Sequence, residues 1–174
     1  IVGLGNIGEE YKNTRHNIGF DIVDQLGKIL KGTFNSAKYG DILKSKYAGK
    51  QIILLKPNTF MNLSGKAVLY WLKKEKIHTN NLIVIVDDLN INFGVSRLKP
   101  SGTDGGHNGL KDITNSLNTS NFPRLRFGIG NNFKKKDQVD FVLSKWNNEE
   151  TNNLENLINK NVELWIFKFS KLFI

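Results

Sequence analysis

Asn81-Leu82-Ile83-Val84-Ile85-Val86-Asp87 sets five consecutive apolar residues between polar ends. An uninterrupted apolar run of this length is the pattern of a central strand buried on both faces, in a sheet covered by helices on each side. Upstream, Ile1 to Leu4 reads as a short apolar strand feeding a glycine turn. Ile22, Val23, Leu26, Ile29 and Leu30 recur at helical spacing and predict an amphipathic helix over 18–30. Tyr39 to Ala48 and Gln51 to Leu55 read as strands joined at Gly49-Lys50, and Pro57 ends the second. Ser64 suits the N-cap of a helix running to about Lys74, with Val68, Leu69 and Leu72 facing inward.

Downstream, Val95 to Lys99 reads as a strand and Pro100 to Gly106 as a flexible loop. A helix is expected from Asn108 or Gly109 to Leu117. The last strand, Arg124 to Ile129, alternates Leu125, Phe127 and Ile129 against Arg124 and Arg126. Leu154, Leu157, Ile158, Val162, Trp165, Ile166 and Phe169 share one helical stripe, the mark of core packing. Alternating strands and helices predict an α/β fold, one domain over residues 1–174, with a mixed β-sheet sandwiched between helices (α/β/α). No repeat or low-complexity linker divides it.

The formal charge of +9 invites an acidic partner, most naturally a nucleic acid. Lysine outnumbers arginine 21 to 4 and asparagine reaches 23, a bias that an AT-rich genome produces without selection for binding. The clusters Lys73-Lys74-Glu75-Lys76 and Lys134-Lys135-Lys136 therefore also read as ordinary solvated faces. With no cysteine there are no disulfides, which is compatible with a reducing cytosol. The longest apolar run is too short to cross a bilayer, and Ile1-Val2 leads directly into a glycine turn with no secretory signal opening the chain, so a cytoplasmic protein is expected. The chain opens almost inside a strand, and residues are expected ahead of Ile1.

The chemistry is narrowed by what is missing. Three histidines that never pair at i, i+3 or i+4 give no zinc spacing, and there are no thiolates. Gly-x-Ser-x-Gly is absent, so no nucleophile elbow is announced. If the protein is an enzyme, the base falls on His16, within Thr14-Arg15-His16-Asn17. Gly3-Leu4-Gly5-Asn6-Ile7-Gly8 matches Gly-x-Gly-x-x-Gly, yet Glu9-Glu10 follows where a pyrophosphate would sit, which argues against a dinucleotide. Strand ends instead gather Asn6, Asn58 to Asn62 and Asp87, with Asn108 at a helix start. Neutral amides there can grip carbonyls and a water, although each alone also suits a turn or cap.

Six stretches in register now carry a resemblance. They are Val2 to Asn6, Tyr11 to Phe20, Lys56 to Gly65, Val86 to Leu89, Gly105 to Ile113 and Arg124 to Gly130. Together, from residue 2 to about 146, the chain resembles bacterial-type peptidyl-tRNA hydrolase. The resemblance implies a monomeric α/β/α hydrolase that cleaves the ester between a peptide and the 3′ ribose of tRNA, without metal, cofactor or obligate protein partner. It implies His16 as general base and Asp87 as its acidic partner. Asn6 resembles the residue that separates peptidyl from free aminoacyl esters, and Asn62 and Asn108 resemble amides that position substrate and water. Tyr11 and Phe60 match contacts to the tRNA 3′ end, and Met61 matches the pocket wall. Lys99 and Arg126 match a pair that clamps the 5′-phosphate, with Lys111 adding a backbone contact. Ile7, Asn90, Asn92 and Asp104 depart from the family pattern, outside the implied catalytic set. Two rival readings are a non-catalytic RNA-binding module on the same scaffold and a nucleotide-dependent oxidoreductase.

Overall fold

Seven strands form one mixed sheet in the order β2-β3-β4-β1-β5-β7-β6. They are β1 (Val2–Gly3), β2 (Asn35–Ala37), β3 (Gly40–Tyr47), β4 (Lys50–Pro57), β5 (Val84–Asp88), β6 (Ser96–Lys99) and β7 (Arg124–Gly128). The computed structural model describes residues 1–172; the side chains of Lys135 and of residues 167–172 lie outside the description, and with them Phe169 of the expected stripe. β5 sits between parallel neighbours β1 and β7, as its apolar run predicts, and every residue in it is buried. β3–β4 and β6–β7 pair antiparallel. The fold is a single α/β domain, its mixed sheet layered by helices.

The run Leu82 to Val86 divides its side chains between two cores. Ile83 and Ile85 pack with Ile18, Ile22 and Val23 of α1 (Ile18–Ile29) and with Val162 and Trp165 of α5 (Asn148–Leu172). Val84 and Val86 pack with Val68 and Trp71 of α2 (Ser64–Lys74) and with Leu110 and Ile113 of α3 (Asn108–Leu117). A period of two along the strand thus buries both faces. A short helix, α4 (Gln138–Leu143), completes the set.

The glycine motif serves packing. A Cβ on Gly3 would strike the Gly19 carbonyl and one on Gly5 would strike the Phe20 ring, so both glycines let α1 lie close against β1. The turn opens into a 3-10 turn at Glu9–Tyr11, not into a helix, which removes the dinucleotide reading.

Three local expectations need correcting, and one strand carries no periodic signal. Ser64 is the first helical residue, not a cap: its hydroxyl donates to the Met61 carbonyl. The early amides of α2 are served from another helix, since Gly65 N–H donates to Asp112 at 2.6 Å. A carboxylate there also suits the helix dipole. The inward face of α2 is Ala67, Val68, Trp71 and Leu72, while Leu69 is half-buried. Arg124 is fully buried, because its guanidinium finds the carbonyls of Thr103, Ser120 and Phe122 and lies over the Phe122 ring. Strand β2 escapes the periodicity reading altogether; Asn-Ser-Ala is a polar, exposed edge.

Candidate active site

His16 lies in a 3-10 turn, Arg15–Asn17, immediately ahead of α1, and Asp87 lies near the carboxyl end of β5. His16 Nδ1 is 2.8 Å from Asp87 Oδ1, across 71 residues of sequence. The loop is braced on both sides. Asn17 exchanges two 2.9 Å hydrogen bonds with the Asn6 backbone, accepting from its N–H and donating to its carbonyl. Arg15 turns away from the groove and donates to the Ser144 hydroxyl at 2.6 Å, the Lys145 carbonyl at 2.9 Å and Glu150 at 2.5 Å. Its guanidinium also stacks over Phe141. His16 is therefore flanked by two residues that fix its backbone.

A second imidazole meets the same carboxylate oxygen. His107 Nε2 is 3.0 Å from Asp87 Oδ1, and the two rings lie 4.9 Å apart. His107 Nδ1 accepts from the backbone N–H groups of Gly109 and Leu110, at 3.2 and 3.3 Å, capping α3. A nitrogen that accepts cannot carry the proton, so His107 is the Nε2–H tautomer and aims that hydrogen at Asp87.

Electrostatics fix the other imidazole. Burial alone would raise the Asp87 carboxyl, but the electrostatic attraction of the His16 and His107 rings, and hydrogen bonds from both, hold it well below the usual carboxylate range. Asp87 is then ionised and accepts only, so His16 donates through Nδ1–H. Its Nε2 lone pair has no protein partner among the described residues. For His16, desolvation pulls the pKa down while the Asp87 charge and hydrogen bond push it up; the net direction is upward.

The same atoms bear on metal binding. One ligand atom each of His16, Asp87 and His107 lie within 4.8 Å of one another. A neutral histidine bound through Nε2 must carry its proton on Nδ1. In His107 that nitrogen already accepts two backbone hydrogens. The trio is arranged as a hydrogen-bonded set, not as a cation cage.

His16, Asp87 and His107 line a groove of about 330 Å³. Asn6, Phe60, Met61, Asn62, Asn108 and Arg126 line it as well, with Asp88 and with Val139 and Val142 of α4. Asn6 Oδ1 accepts from Met61 N–H at 2.8 Å, which orients the amide and leaves its two Nδ2 hydrogens uncommitted at the groove wall. The Asn62 and Asn108 side chains are exposed and make no hydrogen bond among the described residues. Tyr11, half-buried in its 3-10 turn, and Lys99, exposed on β6, fall outside the lining. Arg126 and Lys99 share a face without sharing a rung: Arg126 stands opposite Arg97, and Lys99 opposite Arg124. Arg126 is held by Asp88 at 3.0 Å and by the Thr103 carbonyl at 2.8 Å. Lys111 is exposed on α3.

The family model for peptidyl-tRNA hydrolase matches residues 1–171. The chain belongs to the peptidyl-tRNA hydrolase family. A peptidyl-tRNA hydrolase of Parabacteroides distasonis is 51% identical over 164 residues, covering 94% of this chain and 88% of that one. One from Bacteroides fragilis is 54% identical over 150 residues, covering 86% and 80%. The crystal structure of the peptidyl-tRNA hydrolase of Acinetobacter baumannii superposes with a TM-score of 0.88 at 37% identity, covering 98% of this chain and 86% of that chain. Sequence reasoning gave no role to His107, Asn17 or Asp88. Each stands beside a residue that was singled out, and only the fold reveals what it touches.

Proposed function

We propose that residues 1–174 act as one domain that hydrolyses the ester of peptidyl-tRNA, with His16 as general base. The observation that carries this reading is the Nδ1–H of His16 held by Asp87, which leaves Nε2 free at the groove. A water between Nε2 and the ester carbonyl gives its proton to His16 as its oxygen attacks. Asp87 stabilises the imidazolium that forms. Charge moves to the carbonyl oxygen, where the Nδ2 hydrogens of Asn6, with the exposed amides of Asn62 and Asn108, are the donors at hand. Collapse breaks the bond to the 3′ ribose oxygen, which recovers the proton from His16. Free tRNA and a peptide carboxylate leave.

An activated ester does not require a covalent nucleophile. A positioned base supplies roughly 10²–10⁴-fold and an oxyanion donor about 10²–10³-fold. We assign the phosphate-binding role to Lys99 and Arg126, the 3′-end contacts to Tyr11 and Phe60, and the groove wall to Met61. For Arg126 this entails exchanging a bond to Asp88 for one to phosphate. The working form is a cytoplasmic monomer with no metal or cofactor. No helix among the described residues is long and apolar enough to cross a membrane.

Deacylation of an N-acetylated aminoacyl-tRNA tests the assignment. His16→Ala is expected to lower kcat by about 10²–10⁴-fold while tRNA affinity is retained. Equal turnover by the variant and the wild type removes His16 as the base. A pure RNA-binding module would release no tRNA at all.

A further inference from the structure

One face of α2 leads away from the groove and carries an ordered array of cations. Asn62 lies in the 3-10 turn Met61–Leu63 at the groove, which leads into α2, where Lys66, Tyr70 and Lys74 recur at intervals of four along one side of the helix. At about 1.5 Å per residue the row from Lys66 to Lys74 spans roughly 12 Å. The turn before β3 packs beside it: Trp71 Nε1–H donates to the Lys38 carbonyl at 3.0 Å, and Asn58 N–H donates to the Tyr39 carbonyl at 3.2 Å. This second bond joins the turn to the loop that bears Phe60 and Asn62.

The lysines are held in place. Lys66 Nζ lies 5.0 Å from the Tyr39 ring centre, and Lys38 Nζ lies 5.3 and 5.2 Å from Tyr39 and Tyr70. Lys74 Nζ lies 4.5 Å from Trp71 and 5.6 Å from Tyr70. Tyr70 meets both Tyr39 and Trp71 edge-on. None of the three ammoniums pairs with a carboxylate among the described residues. Helix α2 contains no acid, and Glu75 just beyond it is occupied by Lys44.

We propose that Lys38, Lys66 and Lys74 form a track for the sugar-phosphate backbone of the tRNA acceptor arm, on the α2 side of the groove. This rests on the reading of the chain as a peptidyl-tRNA hydrolase. Ammoniums held over the aromatic rings leave those faces to cations and not to bases, so the surface suits a phosphate backbone better than stacked single-stranded bases. Preordered lysines also lose less freedom when they meet phosphate.

The test uses an N-acetylated aminoacyl group on full-length tRNA and the same acyl group on a CCA trinucleotide. For the variant Lys38→Gln/Lys66→Gln/Lys74→Gln, kcat/KM on tRNA is expected to fall about tenfold relative to that on the trinucleotide. The slope of log affinity against log salt should flatten by about 2–3, near 0.7–0.9 per lost phosphate contact. Replacing all three by Arg should preserve the slope, and Lys66→Glu alone should flatten it. If both glutamine and glutamate variants keep the wild-type slope and substrate ratio, the track is wrong, as it would be if this face served an acidic protein. Failure of the wild type to hydrolyse either substrate would instead remove the functional reading beneath it.

Discussion

His16 and His107 converge on one oxygen of Asp87, with Nδ1 of the first at 2.8 Å and Nε2 of the second at 3.0 Å. The two rings are not equivalent. His107 is locked by the amides it accepts from, whereas His16 keeps a nitrogen for chemistry. A single ionised oxygen thus orients His16 and is itself held ionised by a second donor.

This geometry fixes the direction of the pH profile. As the proposed base, His16 must be neutral to act, and burial and Asp87 together leave its pKa above the ordinary 6.5. The kcat/KM should therefore rise with pH and level off above an inflection higher than 6.5. Asp87→Asn removes the groups that raise it and leaves desolvation, so the inflection should move down. The plateau should drop by about 10²-fold through loss of orientation. An inflection that does not move would separate the profile from this pair.

His107→Asn separates two roles. Asparagine still caps α3 well, so stability should fall by less than about 1 kcal/mol. It removes the second donor to Asp87, which then attracts the His16 imidazolium more strongly. The inflection should shift upward, opposite to Asp87→Asn, as read from a pH series of single-turnover deacylation.

Arg15→Lys should be far from conservative. Lysine cannot reproduce a guanidinium that bonds Ser144, Lys145 and Glu150 at once while lying over Phe141. Urea melts should show a loss of about 1–3 kcal/mol, less than the roughly 3–5 kcal/mol of removing one partner of a buried pair outright, because lysine keeps the charge. Because α4 lines the groove, KM should also rise more than kcat falls.

Asp21 sets a stability prediction of its own. Burial first and Asp24 second push its carboxyl up to about 6, with Lys56 opposing. A raised carboxyl costs nothing while it stays protonated in both states, below about pH 4. The cost grows as pH rises towards 6 and is constant above. Asp21 retains some exposure, so the shift is discounted to about 2 kcal/mol. Asp21→Asn should stabilise the fold by about that amount at pH 8 and scarcely at pH 4 in denaturant titrations.

The apolar run at Leu82 to Val86 made the sheet's centre readable, because burial on both faces leaves no polar alternation. The spacing in α1 was equally clear, as was the strand pair around Gly49. Reading failed where a tertiary partner decides. Ser64 looked like a cap, yet Asp112 of α3 supplies the acceptor. Arg124 alternates with Leu125, Phe127 and Ile129, a pattern that sets it on the other face of the strand, but three carbonyls let it sit fully buried. In the groove, His16, Asn6 and Asp87 were singled out from position and resemblance. His107 was passed over because its tautomer depends on two amides one turn ahead. The wall contributed by Val139 and Val142 carries no motif.

The bonds of Arg15 to the junction of α4 and α5 have one more consequence. Arg15, which immediately precedes His16, is tied to the C-terminal end of α4 that walls the cleft, so displacing that end strains the loop that holds the imidazole against its carboxylate. Reactant and products can come and go by the open side of the groove, a doorway that needs no movement of that end of α4. Such a doorway suits a molecule with a bulky tail at each end, which can be laid across the threshold sideways and never needs to be enclosed.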